Sequence, residues 1–257
     1  MIFVVDIGNT NIAIGAFEGE EIRFTGRLST DRTKTDLEYA IDLKNILEIF
    51  HADRHDFDGC IISSVVPQIT NVVRDSCTQV FGKPAVVLGP GLKTGLNIML
   101  DNPAEMGADR VADAVAASNL YPLPVVIVDM GTATTISVVD AEKRFIGGAI
   151  YPGVRISLDA LTERASQLGG ISLEKPRSPI GRNTIECMRS GILYGSASVV
   201  DGIVEHFEEA LGQKVTVVAT GGMSGTIIPY CRRKCIVDEF LLLKGLRMIY
   251  EKNRTDK

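Results

Sequence analysis

The segment Asp129-Met130-Gly131-Thr132-Ala133-Thr134-Thr135 carries residue types that could handle a phosphate or a metal ion. The apolar run Val125-Val126-Ile127-Val128 precedes it and reads as a buried strand. An Asp at the end of such a strand is costly to desolvate unless it holds a cation or accepts several hydrogen bonds. The glycine allows a tight turn, and small hydroxyl residues leave room for an anion while offering it donors. By itself the pattern also fits an ordinary Asp/Gly hairpin turn. A second copy argues for more than that. Phe3-Val4-Val5-Asp6-Ile7-Gly8-Asn9-Thr10-Asn11, followed by Ile12–Phe17, repeats the grammar of apolar strand, Asp-x-Gly, small polar residues and apolar strand. Asp6 and Asp129 stand 123 positions apart, close to half of 257 residues. This spacing predicts a duplicated α/β unit with a cleft between the halves.

A third acidic position lies in Asn102-Pro103-Ala104-Glu105-Met106-Gly107-Ala108-Asp109-Arg110, just before an alanine-rich run. Asp109 and Arg110 read either as a helix cap with a surface ion pair, or as a carboxylate aimed into the cleft beside a guanidinium that grips an anion. Two Asp-x-Gly turns and a third Asp together suit phosphoryl transfer. Asp6 or Asp129 would hold Mg²⁺ through oxygen, the backbone and hydroxyls after each glycine would cradle a triphosphate, and Asp109 would take the proton from a substrate hydroxyl. Phosphoaspartate hydrolysis is the nearest alternative. That chemistry wants a second Asp two positions after the first, where Gly8 and Gly131 stand. The sequence contains no G-x-x-x-x-G-K-[ST] loop, no G-x-S-x-G elbow and no dinucleotide fingerprint.

The elements that must position these residues follow from periodicity. Residues 1–28 read as a three-stranded meander, 29–36 as a polar loop, and 37–50 as a helix. A strand at 60–65, a helix at 68–81 and a strand at 85–88 complete a β-β-β-α-β-α-β order. Residues 89–95 form a Gly/Pro loop and 111–118 a helix. The second half repeats the meander, its third strand ending in Gly147–Gly153. It continues with a helix at 154–165, a loop at 169–181 and a long helix from Asn183 to Phe207. Glycines 191, 195 and 202 in that helix predict a closely packed neighbouring helix. A strand at 215–219 leads into Thr220-Gly221-Gly222, whose glycines either pass the flat face of a nucleotide base or simply turn the chain. A strand at 235–237 and a helix at 241–250 follow, with a charged tail expected to fray. The expected halves are 1–117 and 118–257.

Bulk properties narrow the function further. The hydrophobic share of 45% and charged share of 23% are those of an ordinary globular protein. A net charge of −5 offers no basic field for nucleic acid or an anionic membrane. No apolar run spans a bilayer and no leader peptide is evident. The five cysteines lack zinc-type spacing, which suggests reduced thiols in a cytoplasmic protein. His51, His55 and His206 sit in polar surroundings and read as surface residues.

Taken in order, these motifs resemble those of the type III pantothenate kinases, within the superfamily of acetate and sugar kinases, chaperone ATPases and actin. The match runs through Asp6–Asn11, Asn102-Pro103, Gly107–Arg110, Asp129–Thr135, Gly147–Gly153, Gly181-Arg182-Asn183-Thr184, Thr220-Gly221-Gly222 and Leu243-Lys244-Gly245-Leu246. The resemblance implies an actin-like, ribonuclease H-like fold and ATP-dependent phosphorylation of pantothenate, the first step toward coenzyme A. It implies Asp109 as base and Asp6 as the magnesium-side carboxylate. ATP contacts would come from Gly8, Asn9, Thr10, Asn11, Gly131, Thr132, Gly221 and Gly222. Asp129 would bind an activating monovalent cation, K⁺ or NH₄⁺. Leu100, Gly107, Ala108, Asp109 and Arg110 would contact pantothenate. A homodimer is implied, with Thr184 reaching the partner's substrate site. Many family members carry a Tyr where this chain has Leu100, which removes one hydroxyl from the pocket. A regulatory relative without activity, and a kinase for another small hydroxylated substrate, are the alternatives. Retention of Asp6, Asp109 and Asp129 favours an enzyme.

Overall fold

A computed structural model describes residues 1–165 and 168–254. In chain order the elements are β1 (Ile2–Ile7), β2 (Asn11–Glu18), β3 (Glu21–Ser29), α1 (Asp36–Ile49), β4 (Gly59–Ser64), α2 (Pro67–Phe81), β5 (Val86–Val87), β6 (Asn97–Ile98) and α3 (Ala108–Leu120). They continue as β7 (Val125–Met130), β8 (Ala133–Val139), β9 (Arg144–Pro152), α4 (Val154–Arg164), α5 (Thr184–Leu211), β10 (Thr216–Thr220), α6 (Ser224–Ile227), β11 (Ile236–Val237) and α7 (Leu241–Asn253). The periodic segments form at the expected places. The additions are short: the two-residue β6 and the single turn α6, neither long enough to leave a period in sequence.

The chain forms two compact units. The first comprises Met1–Leu96, Asp101–Asn119 and the segment from Phe240 onward, and the second Asn97–Leu100 with Leu120–Glu239. The sequence reading divides the chain once, after residue 117. In the structure α7 belongs to the first unit, for a reason of packing. Its apolar residues Leu241, Leu243, Leu246 and Ile249 are buried, and the helix lies against β1 and β4. A Cβ on Gly245 would collide with the Ala112 carbonyl, so α7 and the alanine-rich α3 approach to backbone contact. The charged tail at 255–257 lies outside the described residues.

The first unit is a sheet of order β3-β2-β1-β4-β5, with β1, β2 and β3 antiparallel and β4 and β5 parallel to β1. Phe3, Val5 and Ile7 pack with Ile62 against Tyr39, Leu43 and Leu47 of α1 and against Ile69, Val73 and Val80 of α2. Strand alternation therefore turns Asp6 to the opposite face, where Val4 and Leu243 close over Gly15. Thr35 starts α1 with a capping box shared with Glu38, and Gly82 ends α2 in the left-handed conformation.

The second unit has the order β11-β10-β7-β8-β9-β6. Its run β9-β8-β7-β10-β11 repeats the strand order and directions of the first unit, with β6 added along the outer edge of β9. This is the duplicated α/β architecture of an actin-like fold. Val126, Val128 and Met130 pack with Val217 and Ala219 on Leu193, Ala197, Val200 and Val204 of α5. Asp129 consequently points to the other face. The close helix neighbour expected beside Gly191, Gly195 and Gly202 is absent among the described residues. A Cβ at any of the three would meet nothing within 4 Å. No described helix is long and apolar enough to cross a membrane.

Candidate active site

In the first unit the sheet delivers Asp6 to the carboxyl end of its central strand, beside Ser63 of β4 in register. Asp6 is half-buried, while Ser63 is fully buried and its hydroxyl makes no hydrogen bond among the described residues. After Ile7 the chain turns through Gly8-Asn9-Thr10-Asn11, closed by a bond from the Gly8 amide to the Asn11 carbonyl (3.0 Å). Asn9, Thr10 and Asn11 are exposed. The loop after β3 fastens this turn from the side. The Thr30 hydroxyl donates to the Gly8 carbonyl at 2.6 Å, and the Thr30 amide donates to the Thr10 carbonyl at 3.0 Å.

Asp109 reaches the same end of the same sheet. It stands in the first turn of α3, where a carboxylate opposes the positive end of the helix dipole. The Val65 amide donates to the Ile7 carbonyl at 3.0 Å, and a Cβ on Gly107 would lie 3.9 Å from Val65. Gly107 itself is closed off by the Asp109 carboxylate, so a side chain there would collide with it. The Asp109 carboxylate accepts the Arg110 amide at 2.7 Å. Burial pushes the Arg110 guanidinium below its ordinary pKa, against the opposing pull of Asp109. The expected group Asp6, Gly8–Asn11 and Gly107–Arg110 thus gathers at the carboxyl ends of β1 and β4, the usual place for a ligand in a parallel α/β arrangement.

The second unit builds its turn differently. Asp129 is in register with buried Thr220 on β10 and with Thr135 on β8. The Gly131 amide donates to the Ala133 carbonyl at 3.0 Å, leaving Gly131 and Thr132 exposed. Gly221 has a φ of +84°, and a Cβ there would strike the Asp129 carboxylate and come within 2.6 Å of the Met130 nitrogen. Gly153 likewise lies so close to the Gly131 and Thr132 carbonyls that no side chain fits. Only glycines could bring two further backbone segments against this turn. Gly222 is exposed at the following bend.

The remaining candidates belong to different elements. Leu100 belongs to the second unit, 3.9 Å from where a Cβ on Gly147 would stand, while Gly107–Arg110 belong to the first. Thr184 is exposed at the start of α5, where the Asn183 side chain caps the helix by accepting the Glu186 amide at 2.9 Å. Three positions with no site role in the sequence reading also shape these turns: Thr30, Ser63 and Gly153. Their roles come from contacts made across the sheet or between loops, which local sequence pattern does not show.

Mg²⁺ suits this donor set. A half-buried carboxylate beside a buried hydroxyl without a partner offers hard oxygen ligands. Among the described residues no three His, Cys, Asp or Glu side chains gather to hold an ion. An ion here would take most of its ligands from phosphate and water, as Mg²⁺ commonly does.

A family model described as type III pantothenate kinase matches residues 2–206. The chain belongs to the type III pantothenate kinase family. The match includes Asp6, Asp109, Asp129 and Thr184, whereas Gly221, Gly222 and α7 fall beyond it. Solved structures share the fold at low identity. A protein described as a 2-dehydro-3-deoxygalactonokinase from Sinorhizobium meliloti is 12% identical over 98% of each chain, with a TM-score of 0.57. The ethanolamine utilization protein EutJ from Carboxydothermus hydrogenoformans is 14% identical, over 96% of this chain and 89% of its own, with a TM-score of 0.51. Family membership makes the protein a kinase, with ATP as its phosphoryl donor.

Proposed function

We propose that this kinase phosphorylates pantothenate at its primary alcohol, giving 4'-phosphopantothenate and committing it to coenzyme A synthesis. The observation that carries the reading is the placement of Asp109 by α3 at the carboxyl end of β1, within the same unit as the Asp6 turn. In the proposed reaction the alcohol oxygen bonds to the γ-phosphorus of ATP and the bond to the β-phosphate oxygen breaks. ADP leaves, and the alcohol proton passes to the Asp109 carboxylate. The Arg110 guanidinium supplies fork-shaped donors for the substrate carboxylate. The backbone and hydroxyls of Gly8–Asn11, with Gly131 and Thr132, bind phosphate oxygens. Gly221 and Gly222 pass the adenine. Mg²⁺ held near Asp6 supplies charge neutralisation on the phosphates when bound. Asp129 takes K⁺ or NH₄⁺, with the Gly221 backbone packed directly against its carboxylate.

The protein acts as a homodimer in the cytoplasm, with Thr184 serving the partner's substrate site. The open glycine face of α5 and the exposed Ile180 and Ile185 support the pairing. A coupled ADP-release assay with pantothenate, run with and without K⁺, tests the function. ADP release should require pantothenate and rise with K⁺. Equal ADP release without pantothenate refutes the acceptor. Leu100 favours one competing reading, an acceptor with an apolar group where family members place a Tyr hydroxyl. Turnover of another small alcohol at higher kcat/KM than pantothenate would establish it.

A further inference from the structure

We propose that Arg32 is a phosphate-chain contact for the nucleotide, held ready at the first Asp-x-Gly turn. The inference rests on the kinase reading above but adds a residue that the motifs leave out. Arg32 lies in the loop after β3 and is exposed, yet its place is fixed from both sides. On one side, the Asp31 amide donates to the Tyr39 hydroxyl at 3.0 Å, and that hydroxyl donates to the Asp31 carbonyl at 2.7 Å. Tyr39 is 1% exposed, so this anchor belongs to the core. On the other side, the Asp31 carboxylate accepts the Thr33 amide at 2.8 Å and the Thr33 hydroxyl at 2.7 Å. These bonds hold the carboxylate below its ordinary pKa of 3.8 and commit it to Thr33.

The guanidinium then reaches across to the turn. One terminal nitrogen donates to the Asn9 side-chain oxygen at 3.1 Å. Among the described residues no carboxylate pairs with it. A guanidinium carries five N–H donors, so most of the fork remains available. An arginine held only for stability would ordinarily meet an acid, or stack over an apolar or aromatic surface. This one is instead pinned beside Gly8–Asn11, with its loop bolted to that turn through Thr30. Delocalised positive charge in a fixed fork beside a phosphate turn matches the oxygens of a nucleotide's phosphate chain. Binding there requires little reordering, because Tyr39, Thr33 and Asn9 already hold the loop.

The test measures equilibrium binding of MgATP and of adenosine to the intact protein, alongside steady-state kinetics, for Arg32→Gln and Arg32→Lys. Gln can still donate to Asn9 but carries no charge, and Lys keeps the charge without the fork. Arg32→Gln should weaken MgATP binding about tenfold, leave adenosine binding unchanged, and raise the KM for ATP more than it lowers kcat. Arg32→Lys should recover part of the loss. MgATP binding by Arg32→Gln within twofold of the parent protein, or an equal loss for adenosine, overturns the proposal. These outcomes are read by binding, so they stand apart from the pantothenate assay. An enzyme that binds MgATP through Arg32 but ignores pantothenate refutes the acceptor and leaves Arg32 in place.

Discussion

The two Asp-x-Gly turns occupy equivalent positions in equivalent sheets, yet their surroundings have little in common. Around Asp6 the support comes from side chains: Thr30 on the Gly8 carbonyl, Arg32 on Asn9, and α3 carrying Asp109 to the same strand ends. Around Asp129 the support comes from backbone, with Gly153 and Gly221 pressed where no side chain fits. Both aspartates keep a hydroxyl residue beside them on the parallel neighbour strand, Ser63 in one case and Thr220 in the other. The shared part is what a carboxylate at a strand end needs, and the unshared part is how each turn is held. A turn dressed with donors and a positive charge suits multiply charged phosphate. The second turn is walled by main chain, and in the proposed reading its Asp129 carboxylate takes a cation while Gly131 and Thr132 share in binding the phosphates.

The sharpest test of this division is Asp109→Asn. It should lower kcat by on the order of 10² or more while leaving MgATP affinity within about twofold, measured by coupled ADP release and by equilibrium binding. Near-parental turnover removes the base from the first unit's set. Next in size is a matched pair of glycine substitutions. Gly221→Ala meets both the Asp129 carboxylate and a left-handed φ, and should cost roughly 2–4 kcal/mol in denaturant melts and abolish the response to K⁺. Gly8→Ala meets only the Asn11 carbonyl at 3.0 Å and should cost about 1 kcal/mol. Equal costs would mean that the two turns are packed alike after all.

A smaller effect is expected from Thr30→Val, which removes the 2.6 Å bond to the Gly8 carbonyl. About 1 kcal/mol should be lost, read as a few-fold rise in the KM for ATP with adenosine binding unchanged. The smallest concerns the hairpins on the meanders. In the first unit Gly19 turns the chain with φ +59°, while in the second the Asp140 carboxylate does the bracing. Burial works to raise the Asp140 pKa, but bonds from the Arg144 amide and guanidinium and from the Glu142 amide hold it below 3.8. A depressed carboxylate adds stability above its ordinary pKa and loses it as pH falls through the folded value. Asp140→Asn should therefore cost on the order of 0.5–1 kcal/mol at pH 7, because Arg144 is partly exposed and Asn keeps one acceptor. The gap between variant and parent in thermal melts should close as pH drops below 3.8.

Much of this was legible in the chain itself. The two Asp-x-Gly turns, the order of elements along the chain and the helix after Asp109 follow from apolar periodicity and local turn chemistry, both of which act over a few residues, although that helix begins earlier, at Ala108, and takes in Asp109. What was not legible depends on partners far apart in sequence. Arg32 is one charged residue in a polar loop until Asn9 and Tyr39 are seen on either side of it. Gly153 looks like a strand end until the carbonyls of Gly131 and Thr132 are found against it. The glycines of α5 show the limit from the other direction: small residues predicted a packed helix, and the chain alone leaves them open.

The return of α7 to the first unit bears on how the chain matures. Its four buried residues Leu241, Leu243, Leu246 and Ile249 contribute roughly 6–12 kcal/mol gross, comparable to the whole stability of a typical domain. The sheet that is synthesised first therefore waits for α7, a helix of 13 residues made after the whole second unit, while the middle of the chain is free to fold earlier. A chain that stops short of Leu241 should emerge with its N-terminal sheet bare on one side, and should be cleared by proteases and chaperones before it can bind a nucleotide.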